Sequence, residues 1–331
     1  MVPGEEVAVR AVQVVRLDGP GALEVNEVDE PKAGDDQVLI DVEAAGVVFP
    51  DLLLSRGEYQ MKPELPFVLG SEVAGTVREA PEGSRFSAGD RVAALPVVGG
   101  FAPTVASPTE TVFPLPDTVS FDIGAGLPMN YLTAHFVLET RSHLAAGETV
   151  LVHGAAGGVG VACIQFAKAR GATVIAVVSS EGKGEVATAA GADHWVPVEG
   201  FKDAAKEITG GRGVDVVVDP VGGDRFTDSL RSLGDDGRLA VVGFTAGEIP
   251  TVKVNRLLLN NISVVGAGWG AYASKRPGFM HQQWDAMRDD IASGRLAPPI
   301  SATYPLAEAG SAVAELAERR VTGKVVVHPR A

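Results

Sequence analysis

The residues best placed to do chemistry are those that would hold an anion. Residues 153–160 read HGAAGGVG, with a β-branched apolar run (149–153) before them and a helix-length apolar run (159–170) after. Gly157 and Gly160 take the second and third glycine positions of a GxGxxG fingerprint, and Ala155 takes the first. In that pattern the second glycine lets backbone approach a pyrophosphate, and the third lets the helix pack tightly on its strand. Free N–H groups and the positive end of the helix dipole converge where such a helix starts. Ala155, Ala156, Gly157, Gly158, Val159 and Gly160 therefore form a candidate dinucleotide phosphate loop. A glycine-rich turn can also serve packing alone, but the strand–loop–helix frame favours the phosphate.

The choice between nicotinamide cofactors falls near the end of the next strand, roughly twenty residues past the loop, where a carboxylate would bind a free ribose 2′-hydroxyl. Ser179 and Ser180 stand there, with Lys183 just beyond. Hydroxyls and an ammonium suit a 2′-phosphate, so NADPH is expected in preference to NADH. Glu181 is the nearby group that could turn back toward the ribose. Cys163, among apolar helix residues, reads as an ordinary buried thiol.

Two kinds of element must position these residues. From about Val7 to Pro116, short β-branched runs such as 37–44, 72–78 and 90–94 alternate with Gly, Pro and Asp, which predicts short, largely antiparallel strands. Residues 89–92 read as a turn feeding a strand. Beyond Asp122, strands at 149–153, 173–178, 194–198, 214–218, 239–243 and 262–266 are separated by helix-length segments, which predicts a Rossmann-type, doubly wound parallel sheet. The apolar stretch 150–167 is broken by His153, Gln165 and several glycines, so it reads as strand, turn and buried helix rather than a membrane span. The tail has helices near 276–293 and 306–319 and a strand at 323–328. It is too short for its own core and is expected to complete the first domain. The fold class is then α/β, with residues 127–266 as the dinucleotide-binding domain and 1–126 plus 267–331 as a largely β catalytic domain.

A chain of 331 residues with 46% hydrophobic residues can bury two such cores. A formal charge of −14 opposes binding to nucleic acid or anionic lipid. One cysteine can form no internal disulfide, and no Cys/His cluster marks a metal site. The amino terminus lacks the pattern of a signal peptide, so a cytoplasmic location is expected.

LPFVLGSEVAGTV, SAGDRVAAL, LPMNYLTAHFVL, VLVHGAAGGVGVACIQFAKARGATVIA, GADHWVPV and VDPVGG occur in that order along the chain. Together they resemble the zeta-crystallin-like quinone oxidoreductases, a zinc-free branch of the medium-chain dehydrogenases/reductases. The resemblance implies a GroES-like catalytic domain beside the Rossmann domain. Zinc enzymes of the superfamily carry a ligand Cys and a ligand His where this chain has Phe49 and Ser71, so no catalytic zinc is expected.

By the same resemblance the nicotinamide would lie near Asp51, Asn130, Thr133 and Gly243-Phe244-Thr245. Val221-Gly222 and Val265-Gly266 would lie at the carboxyl edge of the sheet, and Arg320 would form a second phosphate contact. Ordinary packing, or for Arg320 a solvated helix-end charge, is the competing reading for each. Asp51, Asn130 and Tyr59 are the candidate catalytic groups, and Phe49, Leu53, Tyr131 and Trp269 the candidate substrate-pocket walls. The chain departs from bacterial relatives at Val48, Leu53 and Val198, where those often carry Asn, Tyr and Tyr. His135 and His143 are assigned no catalytic role. The resemblance implies NADPH-dependent hydride transfer to a quinone or α,β-unsaturated carbonyl, performed by a homodimer. Enoyl-thioester reduction and a non-catalytic NADPH-binding role are the alternatives.

Overall fold

The structure, a computed structural model, describes residues 7–331. The chain divides into two compact units: the described residues up to Met129 together with Met280–Ala331, and Asn130–Phe279.

The first unit is built from β1 (Ala8–Val14), β2 (Leu23–Asp29), β3 (Gln37–Gly46), helix α1 (Phe49–Ser55), β4 (Phe67–Val68), β5 (Glu72–Glu79), β6 (Arg91–Ala94), β7 (Thr104–Pro108), β8 (Val112–Pro114) and the short helix α2 (Phe121–Gly124). β1 pairs antiparallel with β2 and β4. β3 is the hub of a second sheet, antiparallel to β5 and β7. Val38, Ile40, Val42, Leu52, Val73, Phe101 and Val105 fill the core.

Helix α3 (Pro128–His135) and a π-helical turn (Phe136–Arg141) lead into the second unit. Its elements are β9 (Thr149–His153), α4 (Gly158–Ala169), β10 (Thr173–Val178), α5 (Glu181–Ala189), β11 (His194–Pro197), α6 (Phe201–Ile208), β12 (Val214–Asp219), α7 (Phe226–Ser232), β13 (Leu233–Val241), α8 (Asn255–Asn260), β14 (Ser263–Gly266) and α9 (Trp269–Ala273). The strands form one parallel sheet in the order β11-β10-β9-β12-β13-β14. Central β9 is buried along its whole length, as a strand covered on both faces must be. Leu151, Ile175, Phe201, Val217, Phe226 and Leu239 make the core.

The tail folds back onto the first unit. It supplies α10 (Phe279–Ala292), β15 (Ile300–Pro305), α11 (Ala309–Ala317) and β16 (Lys324–His328). β16 pairs antiparallel with β3, and Ala312, Val313, Val325 and Val327 enter the first unit's core.

Two boundaries differ from the sequence expectation. The second unit runs past position 266 to Phe279, because Tyr272 and Phe279 pack their rings on Phe136, with centroids 4.8 Å and 6.2 Å away. β13 begins at Leu233 rather than near 239: Leu233 pairs with Val214, the register then jumps to Val216 opposite Arg238, and Asp236 takes a φ of 57° in between. The GDDG of this bulge reads as a loop in sequence. Among the described residues, no helix is long and apolar enough to cross a membrane.

Candidate functional site

β9 ends at His153, and Gly154 turns the chain with φ 58°. α4 then starts at Gly158 behind the extended N-cap Gly157. Its first intrahelical bond runs from Val161 N–H to the Gly157 carbonyl at 2.8 Å, so the N–H groups of Gly158, Val159 and Gly160 face out of the helix start. A Cβ on Gly160 would stand 2.3 Å from the Gly154 carbonyl oxygen and 2.7 Å from Ala155 Cα. The glycine is therefore a requirement of the helix–loop contact. A Cβ on Gly158 would meet the Asn130 side-chain nitrogen at 2.4 Å, so Asn130, on α3, lies directly against the loop. Thr133, nearly a turn further along α3, is 9% exposed.

The loops after β12 and β13 join this edge. Asp219 Oδ1 accepts the N–H groups of Val221 and Gly222, each at 2.9 Å, and Gly222 takes φ 67°. A Cβ on Gly222 would stand 2.9 Å from the Phe244 ring. Thr245 N–H donates to Pro220 and Ala246 N–H to Val221. A Cβ on Gly154 would touch Val221 at 3.4 Å, and β14 brings Val265 opposite Ala240 and Gly266 opposite Val241. Val221, Gly222, Gly243, Phe244, Thr245, Val265 and Gly266 thus gather at the carboxyl ends of parallel strands, where ligands bind in such sheets. His153, at the foot of the loop, pairs through Nε2 with Ser229 Oγ at 2.8 Å, and burial lowers its pKa to about 3. The imidazole is therefore neutral. At the end of β10, Ser179 and Ser180 are exposed, and Lys183 Nζ donates to Ser179 Oγ at 3.3 Å. The open helix start, the glycine cradle and this hydroxyl–ammonium group fit a dinucleotide phosphate chain.

In the first unit, Asp51 is fully buried with both oxygens engaged. Oδ1 accepts from Ser71 Oγ at 2.7 Å and Oδ2 from Val48 N–H at 2.9 Å. Burial outweighs these bonds and raises its pKa to about 6. Glu72 accepts from Met129 N–H at 2.9 Å and from Lys324 Nζ at 2.5 Å, a pair 0% and 2% exposed. Tyr59 is half-buried, and burial together with the Asp51 charge holds its hydroxyl above the usual phenol range. Phe49 (39% exposed) and half-buried Leu53 lie one turn apart on the outward side of α1. The Phe49 and Ser71 positions do not fit a zinc ion: a phenyl ring has no donor atom, and the Ser71 hydroxyl is spent on Asp51. Among the described residues, no group of three or more His, Cys, Asp or Glu side chains is disposed to hold a metal.

The alcohol dehydrogenase GroES-like domain matches residues 34–117, and the zinc-binding dehydrogenase domain matches residues 158–289. A rat protein named quinone oxidoreductase-like protein 2 is 37% identical over 98% of this chain and 93% of its own length. A crystal structure of a probable oxidoreductase from Mycobacterium abscessus shares 43% identity, with a TM-score of 0.90 over 98% of this chain and 100% of that one. A mycobacterial structure complexed with NADPH shares 33% identity, with a TM-score of 0.89 over 97% of this chain and 100% of that one. The chain belongs to the quinone oxidoreductase family of medium-chain dehydrogenases/reductases.

Within this quinone oxidoreductase framework, several residues singled out in the sequence have partners of their own. Tyr131 is fully buried and donates its hydroxyl to Gln165 Oε1 at 2.7 Å, so it ties α3 to α4. Asp51 accepts from the Ser71 hydroxyl and the Val48 N–H and so anchors the start of α1. Trp269, 7% exposed, heads α9 as a packed residue. Arg320 binds Glu315 at 2.8 Å and also Glu318, so its guanidinium caps an ion-pair cluster after α11. Cys163 is buried, and burial pushes its thiol up to about 12. His135 packs edge-on to Phe166, and burial lowers its pKa to about 4. The sequence reading missed the Asp51–Ser71 bond, the Glu72–Lys324 pair and the turn held by Asp219. Lys324, a charge heading the run KVVVH, was the visible signal for the second of these.

Proposed function

We propose that this protein uses NADPH to reduce a quinone or a related α,β-unsaturated carbonyl, without catalytic zinc. The names of its relatives and the NADPH of the mycobacterial structure support this reading. The observation that carries it is the open first turn of α4, where three backbone N–H groups face outward beside glycines that admit no side chain. These N–H groups and the helix dipole bind the pyrophosphate, and Asn130 braces the backbone of Gly158. Ser179, Ser180 and Lys183 hold the 2′-phosphate. Val221, Gly222, Phe244 and Thr245 line the nicotinamide end.

A reduced nicotinamide bound there supplies the hydride. Alcohol oxidation needs the hydroxyl polarised or deprotonated as hydride leaves, which zinc does as a Lewis acid, whereas quinones and enones already accept hydride well. The protein's part is then to orient the acceptor and supply a proton. Phe49 and Leu53 offer the acceptor an apolar surface. Tyr59 is kept protonated by its raised pKa and so is able to donate a hydrogen bond.

Calorimetry with NADPH and NADH, followed by a panel of quinones, 2-alkenals and enoyl-CoA esters read by loss of NADPH absorbance, tests this. Tight NADPH binding and turnover of quinones or alkenals are expected. Preference for enoyl-CoA would move the substrate to thioesters, and failure to bind either cofactor would end the proposal.

We further propose that the protein works as a homodimer paired along the β14 edge. Ile249, Val254, Leu258 and Leu259, 72%, 71%, 77% and 74% exposed, form an apolar group in the segment leading into that edge strand. Light scattering should give twice the chain mass, and Leu258→Asp with Leu259→Asp should give monomers. A monomeric parent protein would refute the pairing.

A further inference from the structure

We propose that Trp195 is the stacking surface for the adenine ring of the bound dinucleotide, held in place by Gly184. This rests on the NADPH reading above and assigns a residue to the adenosine half of that ligand.

Trp195 lies on β11, the edge strand beside β10, in register with Ala176. It is 40% exposed, whereas Trp269 and Trp284 are 7% and 0% exposed. Its neighbour Val196 points into the core, so strand alternation sends the indole outward over the helix that follows β10. A Cβ built on Gly184 would stand 2.6 Å, 2.7 Å and 3.0 Å from indole Cδ2, Cε2 and Cγ. Three such distances to neighbouring ring atoms place the indole face-on against the backbone of α5. The residue keeps 40% of its surface exposed.

A glycine inside a helix costs about 1 kcal/mol relative to alanine. Gly184 is not among the residues with positive φ, so its conformation does not demand glycine; the indole does.

Gly184, which the ring covers, directly follows Lys183 in the first turn of α5. Ser180 is the N-cap of α5, and the Gly184 N–H makes the first intrahelical bond back to its carbonyl at 3.1 Å. The Ser180 hydroxyl does not cap the helix, and Lys183 and Ser179 stand together within the same turn. A phosphate on these groups brings an adenosine base to the first turn of α5, where a flat aromatic face stacks on it. Base–aromatic stacking of this kind is insensitive to base identity and depends on ring area.

Calorimetry with three ligands tests the assignment: NADPH, 2′,5′-ADP as the adenosine half, and reduced nicotinamide mononucleotide as the other half. Trp195→Ala should weaken NADPH and 2′,5′-ADP about tenfold and leave the mononucleotide unchanged. Trp195→Phe should lose less, because a phenyl ring still stacks. Gly184→Ala, which favours the helix but pushes the indole away, should reproduce the loss with Trp195 intact.

Unchanged 2′,5′-ADP affinity in both Trp195→Ala and Gly184→Ala would overturn the stacking role while leaving the NADPH reading in place. An equal loss for all three ligands would also overturn it, since the effect would then be general destabilisation. If the parent protein binds none of the three, the NADPH reading itself falls, and this inference falls with it.

Discussion

The two units handle charge in opposite ways. Around α4, binding capacity resides in backbone: outward N–H groups and glycines whose missing Cβ atoms leave the approach open. Around α1 and β5 it resides in side chains, with Asp51 on Ser71 and Glu72 on Lys324, each pair buried and joined across long stretches of sequence. A backbone site is assembled by one contiguous strand–loop–helix and costs little to keep open. A buried side-chain pair is assembled only by the finished fold, and losing one partner leaves a charge without compensation.

The largest effect expected from this contrast is in Lys324→Met. It leaves Glu72 buried without its cation and should cost about 3–5 kcal/mol in chemical denaturation. Adding Glu72→Leu should recover most of that loss. If the single substitution is neutral, the pair is not the anchor described here.

Asp51 provides a pH test of the same unit. Its folded pKa of about 6 lies above the ordinary carboxyl value of 3.8, so the folded state holds the proton more tightly. The resulting stability is fully present below about pH 4 and is lost as pH rises to about 6, in total on the order of 3 kcal/mol. In Asp51→Asn that downward slope should be absent, whatever constant offset the lost Val48 bond introduces. Equal slopes in thermal melts of the two proteins at pH 4 to 7 would contradict the assigned burial.

On the backbone side, Gly160→Val should lower NADPH affinity roughly a hundredfold, about 2.8 kcal/mol by calorimetry, because the new side chain collides with Gly154 and Ala155. Gly158→Ala should cost less, about tenfold. Asn130→Ala in the same chain should restore part of the loss by vacating the space the methyl needs; no rescue would mean that Asn130 does not set the loop. The smallest effect is expected for Arg320→Ala. Its ion pairs are exposed and screened by solvent, so stability should barely change and NADPH affinity should change less than about twofold. A larger fall would return Arg320 to the cofactor site.

The fold was legible where a pattern is local. Strands 149–153 and 173–178 were read to the residue, because a buried parallel strand is an unbroken apolar run. The start of β13 was not, because a strand interrupted by a glycine–aspartate bulge has the composition of a loop. The phosphate loop was read from its glycines, and the structure shows which contacts demand them. That Tyr131 lies in the core with its hydroxyl on Gln165 was not legible, since a tyrosine on an amphipathic helix has the same spelling whichever way its face turns.

The letters alone dictate what neighbours in sequence can build: strand, turn, helix start, and the absence of a thiolate–imidazole pair at Phe49 and Ser71. Only the three-dimensional fold decides which distant groups meet, as with Ser71 on Asp51, Lys324 on Glu72 and Trp195 over Gly184. Local backbone geometry is set by sterics within a few residues. A buried contact between remote segments depends on packing that no short stretch of sequence contains.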